Sequence, residues 1–92
     1  MEDELFDKDG GDRQHKAREL ELYTIRQLMK TENGRNFMWR CLENCSVFES
    51  VFNADPTLHT YKAGARDHGL WLERELKEAA PDEYIKMLTE HM

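Results

Sequence analysis

Cys41 and Cys45 stand four residues apart in FMWRCLENC, the stretch where residue type and spacing come closest to suggesting chemistry. On a helix, two thiolates at i and i+4 can face one metal ion, but a structural zinc site takes four ligands, as a rule from two separated pairs. The remaining candidates are His15, His59, His68 and His91, and none forms a second close pair. His59 and His68, nine residues apart, are turned about 900° relative to each other on one helix and so point to opposite sides. A disulfide fits no better, because a regular helix does not orient side chains at i and i+4 for a bridge. Small buried side chains packing between helices is the expectation for Cys41 and Cys45.

Catalysis by a nucleophile needs a base and an orienting group beside it. The chain shows no nucleophile elbow, no His-Glu-x-x-His and no phosphate-cradling glycine loop, and Gly10-Gly11 lies in a polar stretch. We expect a protein without enzymatic activity, cofactor or metal.

The elements that position these residues are helical throughout. From Asp12, a plausible N-cap, DRQHKARELELYTIRQLMK contains neither Gly nor Pro and repeats apolar residues at helical steps in Leu22, Ile25, Leu28 and Met29. Thr31-Glu32-Asn33-Gly34 reads as a turn. Phe37, Met38, Cys41, Leu42 and Cys45 then form one broad apolar stripe on a second helix over Arg35–Cys45. SVFESVF places its apolar residues in helical rather than alternating order, predicting a short helical turn instead of a strand. Asp55-Pro56 is a strong helix start, with a capping carboxylate followed by a proline in the first turn, and predicts a third helix from there to about Ala79. Its apolar face would be Leu58, Tyr61, Ala65, Gly69, Leu72, Leu76 and Ala79. Gly64 and Gly69 weaken such a helix by about 1 kcal/mol each, a cost that suggests close approach of a neighbouring helix, with a kink near Gly69 as the rival. Pro81-Asp82-Glu83 repeats the start logic for a fourth helix to about Glu90, burying Tyr84, Ile85 and Leu88. The fold class expected is all-α: a single helical domain over 12–92, a small bundle of about four short helices, behind a disordered acidic arm over 1–11.

The net charge is −6, and Met1 to Asp12 carries most of it, with six acids (Glu2, Asp3, Glu4, Asp7, Asp9, Asp12) against Lys8. The rest of the 92-residue chain is nearly neutral, which argues against a large basic footprint for nucleic acid. The arm itself could solvate the chain or dock on a basic partner. No apolar run reaches the roughly 18 residues of a membrane span, and the start lacks a secretion signal, so a soluble protein with reduced thiols is expected.

Five side chains are the candidates for contact with a partner. Arg35 and Trp39, with Lys30, would form a small basic and aromatic patch beside Arg40; acids interspersed among these cations favour an ordinary solvated helix over specific nucleic-acid binding. Trp39 and Trp71 each lie beside the main apolar face of their helix, at a bundle edge or an interface. Arg66 completes the set.

NGRNFMWRCLENCSVFESVFNADP followed by TYKAGARDHGLWLERELKEAAPDEYIKML resembles a small tailed-phage domain of the Bordetella-phage type, found in short-tailed phages and prophages. The matching features are Phe37 with Trp39-Arg40-x-Leu42-Glu43, Val47-Phe48, Gly64-x-Arg66-x-x-Gly69-Leu70, and Pro81-x-x-Tyr84 with Met87-Leu88. They span about Leu20 to Glu90, and the acidic arm lies outside them. The resemblance implies a phage protein with no catalytic residues to carry over; Arg40, Gly64, Arg66 and Gly69 are its pattern residues, and the two arginines could equally bind helix-end carbonyls or carboxylates within the domain. The expected function is non-enzymatic protein–protein contact in virion assembly, DNA packaging or ejection, with phage structural or packaging proteins as partners and several copies acting together. An early inhibitor or adaptor of a host protein, docking through the acidic arm, is the alternative, and a DNA-contacting packaging factor is a third. The host cytoplasm or the virion is the expected location.

Overall fold

A computed structural model of the chain describes the backbone of residues 2–50 and 52–92 and the side chains of 11–50 and 52–92. It contains four helices in chain order, α1 (Glu2–Met29), α2 (Glu32–Asn44), α3 (Pro56–Ala79) and α4 (Pro81–His91), and no strand among the described residues. Most side chains of the expected acidic arm lie outside the described set. Helical backbone continues through Asp12, so that residue is not a cap.

The turn between α1 and α2 is shorter than Thr31-Glu32-Asn33-Gly34. Thr31 is the N-cap of α2, its hydroxyl accepting the Gly34 N–H at 3.0 Å, and Glu32, Asn33 and Gly34 form the first helical turn. Gly34 is needed for space rather than for a positive φ, because a Cβ there would collide with the Leu28 carbonyl at the end of α1.

After α2 the chain leaves through a Schellman motif, a turn rather than the short helical segment expected of SVFESVF, and its described residues form no strand. The Val47 N–H donates to the Leu42 carbonyl at 3.2 Å and the Ser46 N–H to the Glu43 carbonyl at 2.9 Å. Ser46 takes the left-handed position, with φ 59°, where glycine is the usual residue. The motif turns Val47 onto Leu42, and both are buried.

Asp55 caps α3 as its sequence predicts, one carboxylate oxygen accepting from Thr57 N at 2.9 Å and Leu58 N at 3.2 Å, with Pro56 in the first turn. A single residue, Ala80, joins α3 to α4. It is 2% exposed, and its carbonyl accepts the Tyr84 N–H at 2.8 Å.

Met29, Leu42, Val47, Leu76, Ala80, Tyr84 and Met87 form the core, one or more from every helix, and Ile25, Met38, Trp39, Cys45, Phe48, Leu70, Leu72 and Leu88 pack around it. The expected faces were too wide. Phe37, Leu28, Leu58, Tyr61 and Ile85, all assigned to apolar faces, are exposed. Each sits at an edge of its stripe or on a helix end that extends past the neighbouring helices, and a core this small has no room for them. Met87, fully buried, takes the place expected for Ile85.

The two glycines of α3 have different reasons. A Cβ on Gly69 would stand 2.5 Å from both Cys45 Cβ and Val47 Cγ2, so close approach, not a kink, accounts for it, and α3 runs through unbroken. Gly64 has nothing within 4 Å of that position, which corrects the expectation that it packs a helix. Gly64→Ala should therefore raise stability by about 0.5–1 kcal/mol through helix propensity. Gly69→Ala should lower it by about 1–3 kcal/mol through overpacking, both read from urea unfolding midpoints. Equal effects at the two positions would refute this account of the packing.

Candidate functional site

Arg35 is 4% exposed and turned into the body, not outward with Trp39. Its Nη1 donates to the Met29 carbonyl at 3.1 Å and the Lys30 carbonyl at 3.0 Å, the open end of α1. Its Nε and Nη2 grip both oxygens of Glu90 on α4, at 2.7 and 3.0 Å. This fork-to-fork pair holds the Glu90 carboxyl below the ordinary carboxylate range, hydrogen bonding outweighing the opposing effect of desolvation. The basic and aromatic patch expected from Arg35, Trp39 and Lys30 does not form, since its first member is internal.

Trp39 is half-buried, sandwiched between Phe48 at 4.8 Å and the His91 ring at 4.9 Å between centroids, both nearly parallel to it. His91 Nε2 is 2.9 Å from Asn36 Oδ1, which ties the end of α4 to α2. Trp39 thus covers the core edge, and Arg40 beside it is exposed. Arg66 donates from Nη2 to the Val47 carbonyl at 3.3 Å, steadying the turn after α2, while its buried Nε has no partner among the described residues. Cys41 and Cys45 are half-buried free thiols, with Cys45 set against Gly69. Among the described residues no group of three His, Cys, Asp or Glu gathers to hold a metal ion.

Trp71 has a different setting. It is 47% exposed on α3, stacked on His68 at 5.3 Å, and faces α1 across an open groove of about 650 Å³. Ala17, Leu20, Thr24 and Ile25 supply the α1 wall, and Glu21 and Glu75 are the charged members. Leu20 is 65% exposed. Below the groove Arg18 joins the helices, donating from Nη1 to Glu75 at 2.7 Å and Glu21 at 3.0 Å and from Nη2 to Glu78 at 2.8 Å. The Arg18 bonds hold the Glu75 carboxyl below its ordinary range, so it stays ionised at neutral pH.

This groove was not legible as a site. The signal for it is a second apolar stripe on α1: Leu20, Thr24 and Leu28 lie roughly 150° around the helix from Leu22 and Met29, which are buried. A helix with two apolar faces has one to spare.

A family model for Bbp19-like phage protein matches residues 25–89, from the last five residues of α1 nearly to the end of α4. The chain belongs to this family. No curated protein and no solved structure matches it. The Bbp19-like match takes in Arg35, Trp39, Arg40, Arg66, Gly69 and Trp71, and leaves out Ala17, Leu20 and the acidic arm. The family features singled out in the sequence therefore serve the fold in large part, as Arg66 on Val47 and Gly69 under Cys45 show. Among the described residues no helix is long and apolar enough to cross a membrane.

Because Glu90 and Glu75 titrate below their ordinary range when folded, the stability they add is complete above about pH 4.3 and is lost as pH falls through their folded values. The thermal midpoint should decline on acidification below about pH 4.3. Glu90→Gln should lower it at pH 7 and make the acid decline shallower. An acid decline equally steep in Glu90→Gln would show that the Arg35 pair does not control it.

Proposed function

We propose that this phage protein works without chemistry of its own, through protein–protein contact in virion assembly, DNA packaging or ejection. One observation carries the reading: the groove between α1 and α3 exposes Leu20 and Trp71, while among the described residues the large side chains that are fully buried are Met29, Leu42, Leu76 and Met87. A chain with so small a core leaves Leu20 and a half-exposed tryptophan facing water over a groove, the composition of an interface anchor. Membership of the Bbp19-like family supports the phage setting.

The cations support protein contact over DNA contact. Arg18 and Arg35 are committed to carboxylates and carbonyls within the chain, so they are not free to neutralise phosphates. Arg40 is exposed, as are Arg13, Lys16, Lys30, Lys62, Arg74, Lys77 and Lys86, but acids are interspersed among them.

The protein should be found by mass spectrometry in purified particles, or with a portal or packaging complex isolated from infected cells. Leu20→Asp should reduce its recovery there at least tenfold while leaving the thermal midpoint within a few degrees, since Leu20 is largely in solvent. Absence of the unaltered chain from particles and complexes alike would refute the proposal.

A further inference from the structure

We infer that the open pocket beside the turn after α2 binds a carboxylate carried on an aromatic or other apolar group, with Arg66 as its cation. The pocket, of about 490 Å³, lies between that turn and α3 and is lined by Val47, Phe48, Glu49, Ser50, Phe52 and Arg66. None of these residues lines the groove between α1 and α3, so the site is independent of the protein-contact reading above.

Arg66 is a half-buried cation most of whose donors are unused. Arg35 makes four hydrogen bonds, two of them to Glu90, and Arg18 bonds the carboxylates of Glu21, Glu75 and Glu78. Arg66 makes one bond, from Nη2 to the Val47 carbonyl at 3.3 Å, and no ion pair among the described residues. Its Nε is the one buried side-chain nitrogen or oxygen without a partner among those residues. A desolvated guanidinium is costly until it is paired, and an orphaned buried donor marks the place of a missing water, ion or ligand. Nε and Nη2 form one edge of the fork, the edge with which Arg35 holds Glu90. The bond to Val47 is long for its type, so a small turn of the guanidinium exchanges it for a carboxylate and brings that edge into the pocket.

The walls select the rest of the ligand. Phe48 is half-buried and Phe52 is 78% exposed, and both offer their rings to an apolar group attached to the carboxylate. Phe52 is placed by its neighbours: its N–H donates to Ser50 Oγ at 3.4 Å, and its ring meets that of His59 edge-on at 5.9 Å. Because Ser50 Oγ accepts there, its hydroxyl hydrogen is left to donate to the ligand. Glu49 lines the pocket without pairing to Arg66, while Lys62 and Asp67, exposed on α3 on either side of Arg66 in the chain, are opposite in sign. One arginine facing one glutamate suits a singly charged carboxylate that gains from the rings better than a phosphate dianion, which Glu49 repels more strongly.

The test titrates the full, isotope-labelled chain and follows the Arg66 Nε–H resonance and the Ser50 and Phe52 amides by NMR. N-acetylphenylalanine stands for a protein chain end and 3-phenylpropionate for a free acid; N-acetylphenylalaninamide and phenyl phosphate are the controls. At least one carboxylate should move all three signals with a Kd of roughly 1–10 mM, modest because the pocket is open. The controls should bind about fivefold more weakly or not at all. Tighter binding of N-acetylphenylalanine would support a chain end as the source, and tighter binding of 3-phenylpropionate a free acid. Arg66→Lys, which keeps the charge and loses the fork, should weaken binding about fivefold, and Glu49→Gln, by removing the like charge, should tighten it about twofold. The gain in Glu49→Gln is a result that misfolding cannot imitate. An Arg66 Nε–H that neither carboxylate moves, equal binding of N-acetylphenylalanine and its amide, tighter binding of phenyl phosphate, or a Kd that Glu49→Gln does not lower would overturn the inference.

Discussion

The structure turns on one buried cation. Arg35, from the first turns of α2, bonds the last carbonyls of α1 and both oxygens of Glu90 near the end of α4. Three of the four helices meet at its guanidinium. Burying a charge is costly unless it is paired and hydrogen-bonded, and here four of the five N–H groups reach two carbonyls and one carboxylate. The arrangement also explains how α1 and α2 can be joined by so short a turn: the carbonyls left open at the end of α1 are satisfied by a side chain, and Gly34 lets the α2 backbone pass beneath Leu28. Removing Arg35 would strip the Met29 and Lys30 carbonyls of their side-chain donor, and a side chain at position 34 would strike the Leu28 carbonyl.

A second cation, Arg18, plays a looser part between α1 and α3. Its three carboxylate partners, two of them well exposed, make it a solvated tie rather than a buried rivet, and salt will screen it. The contrast fits the positions of the two residues. Arg35 lies beside the core formed by Met29, Leu42, Leu76 and Met87, whereas Arg18 lies beside the groove, where the α1–α3 seam stays open.

Local signals in the sequence were enough to place most of the helices. Asp55-Pro56 and Pro81 mark helix starts through groups that act within one turn, and both helices begin there. Apolar order told against a strand after α2, although nothing in SVFESVF announces that a serine will occupy the left-handed position. Burial was less legible because it depends on which helix faces which. Tyr61 and Ile85 have the spacing of core residues but are exposed, and Gly64 looks like Gly69 until the second is seen under Cys45 and Val47. Arg35 looked like a surface cation because its two carbonyls and its carboxylate come from distant parts of the chain. The groove was missed for the same reason: Leu20 and Trp71 are 51 positions apart.

The family match covers the scaffold and the α3 side of the groove, and leaves most of the α1 wall outside it. Residues 25–89 contain the core, Arg35 with its two carbonyl partners and the Gly69 contact, while Glu90, the carboxylate of the Arg35 junction, lies one residue beyond; the family pattern describes a scaffold. Ala17, Leu20, Glu21 and Thr24 of the α1 wall lie outside the match, and Ile25 opens it. Photocrosslinking during infection tests the groove as the contact surface most directly, with benzoylphenylalanine replacing Leu20 in one variant and the equally exposed Ile85 on α4 in another. A crosslink from position 20 to one defined protein, and none from position 85, is the expected result. Crosslinks to the same protein from position 85 but not from position 20 would overturn that assignment.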